Sequence, residues 1–295
     1  MSRSRRQADL PAPANPSTAS PPDVHNLLRK YRLKPDKSLG QNFLVDQAWL
    51  RRVVEAADLC PEDTVLEIGA GLGSLTFQLA TTAGRVVAVE FDSHLIPALR
   101  EAVDGLANVR IVHDDILSID LDALGSGGEY VVVANIPYNI TAALIRKLLE
   151  APHPSRVIVL TVQLEVAERI VSEPGDMSLL ALSVHVYGRP AIKARIPAEA
   201  FYPRPRVDSA VLRIDASRHP RVAPELIDPL FRMARAGFSQ KRKKLANALK
   251  SGLGVERTEV LGWLDRAGVP PGVRAQELDL ESWERLVVAA QEAIS

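Results

Sequence analysis

The stretch Val131-Val132-Val133-Ala134-Asn135-Ile136-Pro137-Tyr138-Asn139-Ile140 decides how the chain is read. Its opening run is apolar and largely β-branched, as in a parallel strand buried on both faces. Asn135 ends the run, an X-Pro-aromatic turn follows, and Thr141 to Glu150 is a predicted helix. The Asn-Ile-Pro-Tyr tetrad therefore falls at the carboxyl end of a strand, the rim where open α/β sheets bind ligands. Pro137 fixes its own φ and biases Ile136 towards extended backbone, which holds the Asn135 amide, the Ile136 carbonyl and the Tyr138 ring in a set relation. That relation suits methyl transfer to an amine conjugated with an aromatic ring. The lone pair of such a nitrogen is delocalised. Acceptance of its two N–H groups by the Asn135 side-chain oxygen and the Ile136 carbonyl favours a pyramidal nitrogen aimed at an electrophilic methyl. Tyr138 is placed to stack on the base. Taken alone, the tetrad also reads as an ordinary turn after a core strand.

With 295 residues, 46% hydrophobic and 24% charged, the chain has the composition of a soluble globular protein of one or two domains. Lys+Arg and Asp+Glu both number 36, so bulk charge predicts no polyanion partner, and a nucleic-acid surface requires local clustering of cations. A single cysteine, Cys60, excludes an internal disulfide and a Cys-rich metal centre. No apolar run approaches the roughly 20 residues that span a bilayer. Residues 1–22 lack an apolar segment and are expected to be a disordered leader rather than a secretory signal; a cytoplasmic location is expected.

Asp23 to Tyr31 is a predicted helix ending in the basic cluster Arg29-Lys30-Tyr31-Arg32, and a polar loop, Lys34 to Leu44, follows. Asp46 is placed to cap an amphipathic helix running to about Leu59. The strand Thr64 to Ile68 leads into Gly69-Ala-Gly71-Leu-Gly73-Ser74 and a helix to about Thr82. Glycines after a first strand let a ligand approach the backbone, but the dinucleotide fingerprint wants Gly where Ser74 stands. The acidic Glu67 before these glycines fits nucleoside binding without a pyrophosphate cradle. A second strand, Arg85 to Val89, delivers Glu90, a natural acceptor for two ribose hydroxyls. A third, Val109 to Val112, leads to His113-Asp114-Asp115, where either carboxylate could bind an adenine amine.

Beyond the opening stretch, strands are predicted at Arg156–Thr161, Ala191–Ile196 and Ala210–Ile214, with helices at Gln163–Val171 and Met177–Tyr187. Two alternate prolines in Phe201-Tyr-Pro-Arg204-Pro-Arg206-Val-Asp-Ser209 stiffen that segment and hold Phe201 either as a second stacking wall or as a core aromatic. After Ala223 the pattern is helical: Pro224–Ala236, Lys241–Leu249, Arg257–Ala267 and Leu280–Ala293. The composition shift at Arg218-His219-Pro220 sets expected domains of 23–218 and 219–295. Lys241, Arg242, Lys243 and Lys244 open a predicted helix, where they oppose its dipole; that cost favours a functional use such as phosphate binding.

With Leu39-Gly-Gln-Asn-Phe-Leu44, Glu67-Ile-Gly-Ala-Gly71, Asn135-Ile-Pro-Tyr138, Phe201-x-Pro-x-Pro-x-Val-x-Ser209 and the tail Gln240–Leu245, the chain resembles the small-subunit ribosomal RNA adenine dimethyltransferases from about Asp23 onwards. Ile136 stands where Leu is usual in that family. The departure matters little, because only the backbone carbonyl is asked to act. The resemblance implies an α/β, Rossmann-like class I methyltransferase domain of seven strands, the last antiparallel, and a small all-helical C-terminal domain that binds rRNA. It implies S-adenosylmethionine as cofactor, held by Asn42, Leu44, Gly69, Gly71, Glu90, Asp115 and Asn135, and so selects Asp115 over Asp114. Asn135, Ile136, Pro137, Tyr138 and Phe201 would surround the target base. That target would be two adjacent adenosines in a hairpin loop near the 3′ end of small-subunit (16S) rRNA, each dimethylated on N6. Arg204, Arg206 and Lys241 to Lys244 are expected to track the RNA towards Tyr138. The expected partner is a pre-30S or 30S particle, with a monomeric enzyme, no metal and no membrane.

Three other functions compete with this one on sequence. A large-subunit rRNA methyltransferase of the macrolide-resistance type shares the core motifs, but Leu39-Gly40 and the basic tail favour the small subunit. A non-catalytic assembly factor on the same fold sits poorly with intact Glu90, Asp115 and Asn135. A nicotinamide dehydrogenase sits poorly with Ser74.

Overall fold

The computed structural model describes residues 20–121, 124, 129–137, 140–216 and 219–293. The expected leader therefore falls almost wholly outside the described residues, and Tyr138 falls outside them too. The sheet is built from β2 (Thr64–Ile68), β3 (Arg85–Glu90), β4 (Val109–His113), β5 (Tyr130–Asn135), β6 (Val157–Gln163), β7 (Gly188–Ile196) and β9 (Ser209–Ala216), in the order β4-β3-β2-β5-β6-β9-β7. The first five run parallel, and β9 pairs antiparallel with both β6 and β7. The expected seven strands are present, with the last inserted between its two predecessors.

The valine run at β5 explains the central position of that strand. Val131 and Val133 face one core layer, with Val65, Val157 and Val159; Val132 and Ala134 face the other, with Leu66, Ile68, Ile158 and Leu160. A strand buried on both sides has no polar face to alternate, so its sequence reads as continuous apolar residues. The chain order turns back between β2 and β5, and this reversal opens a crevice beyond their carboxyl ends. Gly69 and Asn135, which follow and end those two strands, sit side by side there: a Cβ on Gly69 would lie 3.5 Å from the Asn135 carbonyl oxygen.

Helices α1 (Val24–Lys30), α2 (Gln47–Ala57), α3 (Ser74–Ala80), α4 (Ile96–Ala102), α5 (Thr141–Leu149), α6 (Leu164–Ile170) and α7 (Leu179–Tyr187) accompany the sheet. Asp46 caps α2 as expected, accepting from the amides of Ala48 at 2.8 Å and Trp49 at 3.3 Å. A separate core gathers around α8 (Pro224–Phe238), α9 (Leu245–Leu253), α10 (Arg257–Arg266) and α11 (Leu280–Glu292), centred on the fully buried Trp283 and joined by Leu182 and Val186 of α7.

Two features differ from the sequence reading. Lys241 to Lys244 do not open a helix: they form the exposed turn between α8 and α9, and α9 begins only at Leu245. Four cations at the positive end of a helix dipole are unfavourable, so the helix starts after them. The second is a short antiparallel ribbon. Phe43–Leu44 (β1) pairs with Phe201–Tyr202 (β8), Phe43 opposite Tyr202 and Leu44 opposite Phe201. A strand of two residues carries no periodicity from which to predict it.

Candidate active site

A cavity of about 290 Å³ lies at the reversal point, lined from the loop before β1, the glycine turn after β2, the end of β3, the turn after β4 and the end of β5. The glycine turn requires its glycines. Gly71 has φ +60°, and a Cβ there would press on the Phe43 ring at 3.1 Å; Gly73, at φ +82°, would meet the Ala102 Cβ at 2.8 Å. The turn is thereby packed tightly between β1 and α4, with its inner side left open to the cavity.

Glu90 ends β3 in the register predicted for it. Its two carboxylate oxygens accept from the amides of Gly71 at 2.7 Å and Asp92 at 2.8 Å. Burial raises its pKa, and those amide donors oppose the rise by favouring the charged form. Each oxygen keeps a further lone pair for a ligand hydroxyl. Beside it Phe91 lines the cavity while 58% exposed, a large apolar ring left mostly open.

Gln41 ties the preceding loop across this end of the cavity. Its side-chain amide donates to Asp92 at 2.8 Å, and its oxygen accepts from the Asp36 amide at 2.8 Å. Burial would raise the Asp92 carboxyl, but donation from Gln41 and His94 outweighs it and leaves the group below its usual range. One residue on, the Asn42 carbonyl accepts from the Asn135 side-chain amide at 3.1 Å. That bond occupies the donor end of Asn135, so its oxygen remains as the acceptor end. Ile136 and Pro137 line the cavity next to it.

The charge of the cavity is one-sided. Glu67, Glu90, Asp114 and Asp115 line it, and no Lys, Arg or His does so among the described residues. Such a wall disfavours a pyrophosphate and suits a cationic ligand.

A family model described as ribosomal RNA adenine dimethylase matches residues 32–292. The chain belongs to this family. A ribosomal RNA small subunit methyltransferase A from Dehalococcoides mccartyi is 42% identical over 288 residues, 97% of this chain and 98% of that protein. The protein of the same name from Pelotomaculum thermopropionicum is 42% identical over 278 residues, covering 90% and 94%. Among solved structures, the 23S rRNA methyltransferase ErmE superposes with a TM-score of 0.70 at 29% identity, covering 84% of this chain and 99% of that one. A dimethyladenosine transferase from Plasmodium falciparum superposes with a TM-score of 0.69 at 24% identity, a likeness of fold.

As a member of the adenine dimethylase family, the chain is an rRNA adenine dimethyltransferase dependent on S-adenosylmethionine. The cavity fits that cofactor on its own terms: acidic walls for a sulfonium, Glu90 for ribose hydroxyls, and glycines that leave backbone accessible. The same walls argue against the dehydrogenase rival.

The structure brings Asn42, Leu44, Gly69, Gly71, Glu90, Asp115, Asn135, Ile136 and Pro137 to this one cavity. Asp114 lines it as well, and the Asp115 carboxylate accepts from the Leu117 amide at 2.9 Å. Phe201 is elsewhere. It is 3% exposed, packs in the core with Leu44 and Leu50, and does not line the cavity, so the core alternative describes its position. The reason is the ribbon: pairing with Leu44 turns Phe201 inwards and leaves Tyr202 outside, edge-on to His25 at 4.6 Å between ring centroids. Arg204 is exposed and ion-paired with Glu199, while Arg206 and Lys241 to Lys244 are exposed. Sequence reading passed over Gln41, Phe91 and Asp92. The one signal for Phe91 was an aromatic directly after the expected ribose acceptor.

Proposed function

We propose that the enzyme methylates two adjacent adenosines in a hairpin loop near the 3′ end of small-subunit rRNA, each twice on N6, within a pre-30S or 30S particle in the cytoplasm. The observation that carries the reading is the Asn135–Ile136 pair at the cavity rim, its amide orientation fixed by the Asn42 carbonyl. The small-subunit target is supported by the names of relatives at 42% identity over almost the full chain.

When bound, S-adenosylmethionine supplies an electrophilic methyl on a sulfonium. Glu90 takes the ribose hydroxyls, Asp115 the cofactor's adenine amine, and Asn42, Leu44, Gly69 and Gly71 the rest of the nucleoside and methionine. Asn135 Oδ1 and the Ile136 carbonyl accept the N–H groups of the target adenine, whose lone pair then points at the methyl. An unpaired loop adenosine is drawn into the pocket at low cost, and the Tyr138 ring stacks on it. No strong base is needed, since the methylated nitrogen is acidic enough to give its proton to solvent. The site must also admit the monomethyl product, so two acceptors serve better than a closed polar cage.

Residues 23–218 form the methyltransferase domain and 219–295 an rRNA-binding helical domain in this reading, with Arg204, Arg206 and Lys241 to Lys244 along the RNA path and a monomer as the working unit. The test is methyl transfer from labelled cofactor to unmethylated 30S and 50S subunits, followed by nucleoside mapping. Label recovered as N6,N6-dimethyladenosine at adjacent positions of small-subunit rRNA is expected. Label confined to large-subunit rRNA, as the ErmE likeness would allow, overturns the target assignment.

A further inference from the structure

Glu67 takes no part in the scheme above, and its setting is unusual. It lies inside β2, 1% exposed, yet lines the cofactor cavity. Neither carboxylate oxygen makes a well-formed hydrogen bond among the described residues, and the donors that act on the group are the hydroxyl and amide of Thr76 beside the glycine turn. A buried carboxyl with no cation and no well-formed hydrogen bond is costly as an anion and much less so as the neutral acid.

Among the described residues no group supplies the missing charge. The residues paired with Glu67 on the neighbouring strands are Ala88 and Val133. Helix α2 contributes Leu50 and Val53 to the adjoining core, and α3 brings Ser74 and Thr76. The ionisable group that acts on Glu67 is another carboxyl, Glu90, with Asp114 and Asp115 across the cavity. Burial raises Glu67 to about 8; the Thr76 hydroxyl opposes the rise, and Glu90 adds to it.

We propose that Glu67 is the counter-charge to the cofactor's sulfonium: protonated in the free enzyme, it releases its proton to solvent when S-adenosylmethionine enters and recovers one from solvent once the methyl has been transferred and the positive charge is gone, before the thioether product leaves. The inference rests on the cavity being the cofactor site. S-Adenosylmethionine and S-adenosylhomocysteine differ by one methyl and one positive charge, so an ionised Glu67 favours the first and a neutral one tolerates the second. Each adenosine must be methylated twice, so the spent cofactor has to be exchanged between transfers. A carboxyl that reprotonates as the charge disappears assists that exchange.

The experiment is isothermal titration calorimetry of the full chain with each ligand at pH 7, in buffers of different ionisation enthalpy, to count protons released. Parent enzyme is expected to release close to one more proton with S-adenosylmethionine than with S-adenosylhomocysteine. The sulfonium lowers the ammonium pKa of S-adenosylmethionine below that of S-adenosylhomocysteine, so the ligands' own protons do not cancel between them, but the same contribution is present in Glu67→Gln, an amide of the same size, and is subtracted by comparing the two proteins. In the variant the excess release should fall by close to one proton. Between pH 6 and 8 the parent's preference for the charged ligand, relative to the variant's, should grow by up to about tenfold per unit. Equal proton counts for the two ligands in the parent, or a difference as large in Glu67→Gln as in the parent, would overturn the proposal. If the variant does not fold, the parent's own comparison decides. Failure of the parent to bind either ligand would instead count against the cavity as cofactor site.

Discussion

Glu90 and Glu67 are two buried carboxyls on adjacent strands with opposite surroundings. Glu90 is held by two backbone amides and keeps further lone pairs for a ligand; Glu67 makes no well-formed hydrogen bond and has no cation beside it among the described residues. Glu90→Ala would remove the proposed ribose acceptor and leave hydroxyls unpaired, a loss of roughly 1–3 kcal/mol. Cofactor affinity measured by calorimetry should fall about 5- to 150-fold with the fold intact; unchanged affinity would refute the assignment. For Glu67 the linked quantity is stability. Its folded pKa, about 8, lies above the ordinary 4.5, so the neutral form's contribution is complete below 4.5 and is lost as pH rises towards 8. The melting temperature of the parent relative to Glu67→Gln should therefore decline from pH 5 to pH 8, which thermal unfolding of both across that range will check. Glu90 was legible in the sequence because it closes an apolar strand at the ligand rim. The setting of Glu67 was not: its position before the glycines was visible, but the lack of a charged partner among the described residues belongs to the packing.

At the scale of elements, the boundary of α2 was legible because an N-cap is a local interaction. Asp46 accepts two amides of the first turn, and Asp46→Ala should destabilise the protein by about 1 kcal/mol in chemical denaturation. Long-range pairing was less accessible. The β1–β8 ribbon joins segments more than 150 residues apart and decides which way Phe201 faces, so a stiff Pro-rich segment suggested an aromatic wall and pairing made a core residue. The start of α9 was misplaced by four residues for a different reason. The four cations carry no apolar residue, so both the apolar face and helix polarity begin the helix after them, at Leu245. The loop from Asp36 to Leu44 is fastened by Gln41 to Asp92 and by Asn42 to Asn135, so one segment spans the cofactor end and the base end of the cavity. Its polar density was visible; its attachments were not.

Over the whole molecule, five parallel strands with a reversal between β2 and β5 place every expected cofactor residue at one crevice, and this much followed from where each motif fell on its strand. Formal net charge is zero, yet the crevice is acidic and the α8–α9 turn is basic. Segregation of that kind lets a neutral protein bind RNA in one place and a cationic cofactor in another. Replacing Lys241, Arg242, Lys243 and Lys244 by Gln should weaken subunit binding and lower the salt slope by up to about three, taking ~0.7 per phosphate contact, with cofactor affinity unchanged. Parallel slopes would mean a solvated turn. The central claim is that Asn135 and Ile136 activate the adenine amine at the rim of this crevice. Its most direct test is the single-turnover rate of methyl transfer by Asn135→Ala at saturating cofactor and small subunits, with subunit binding measured alongside. A fall of about 100-fold or more with subunit affinity within a few-fold of the parent is the expected result; near-parental turnover would contradict the account.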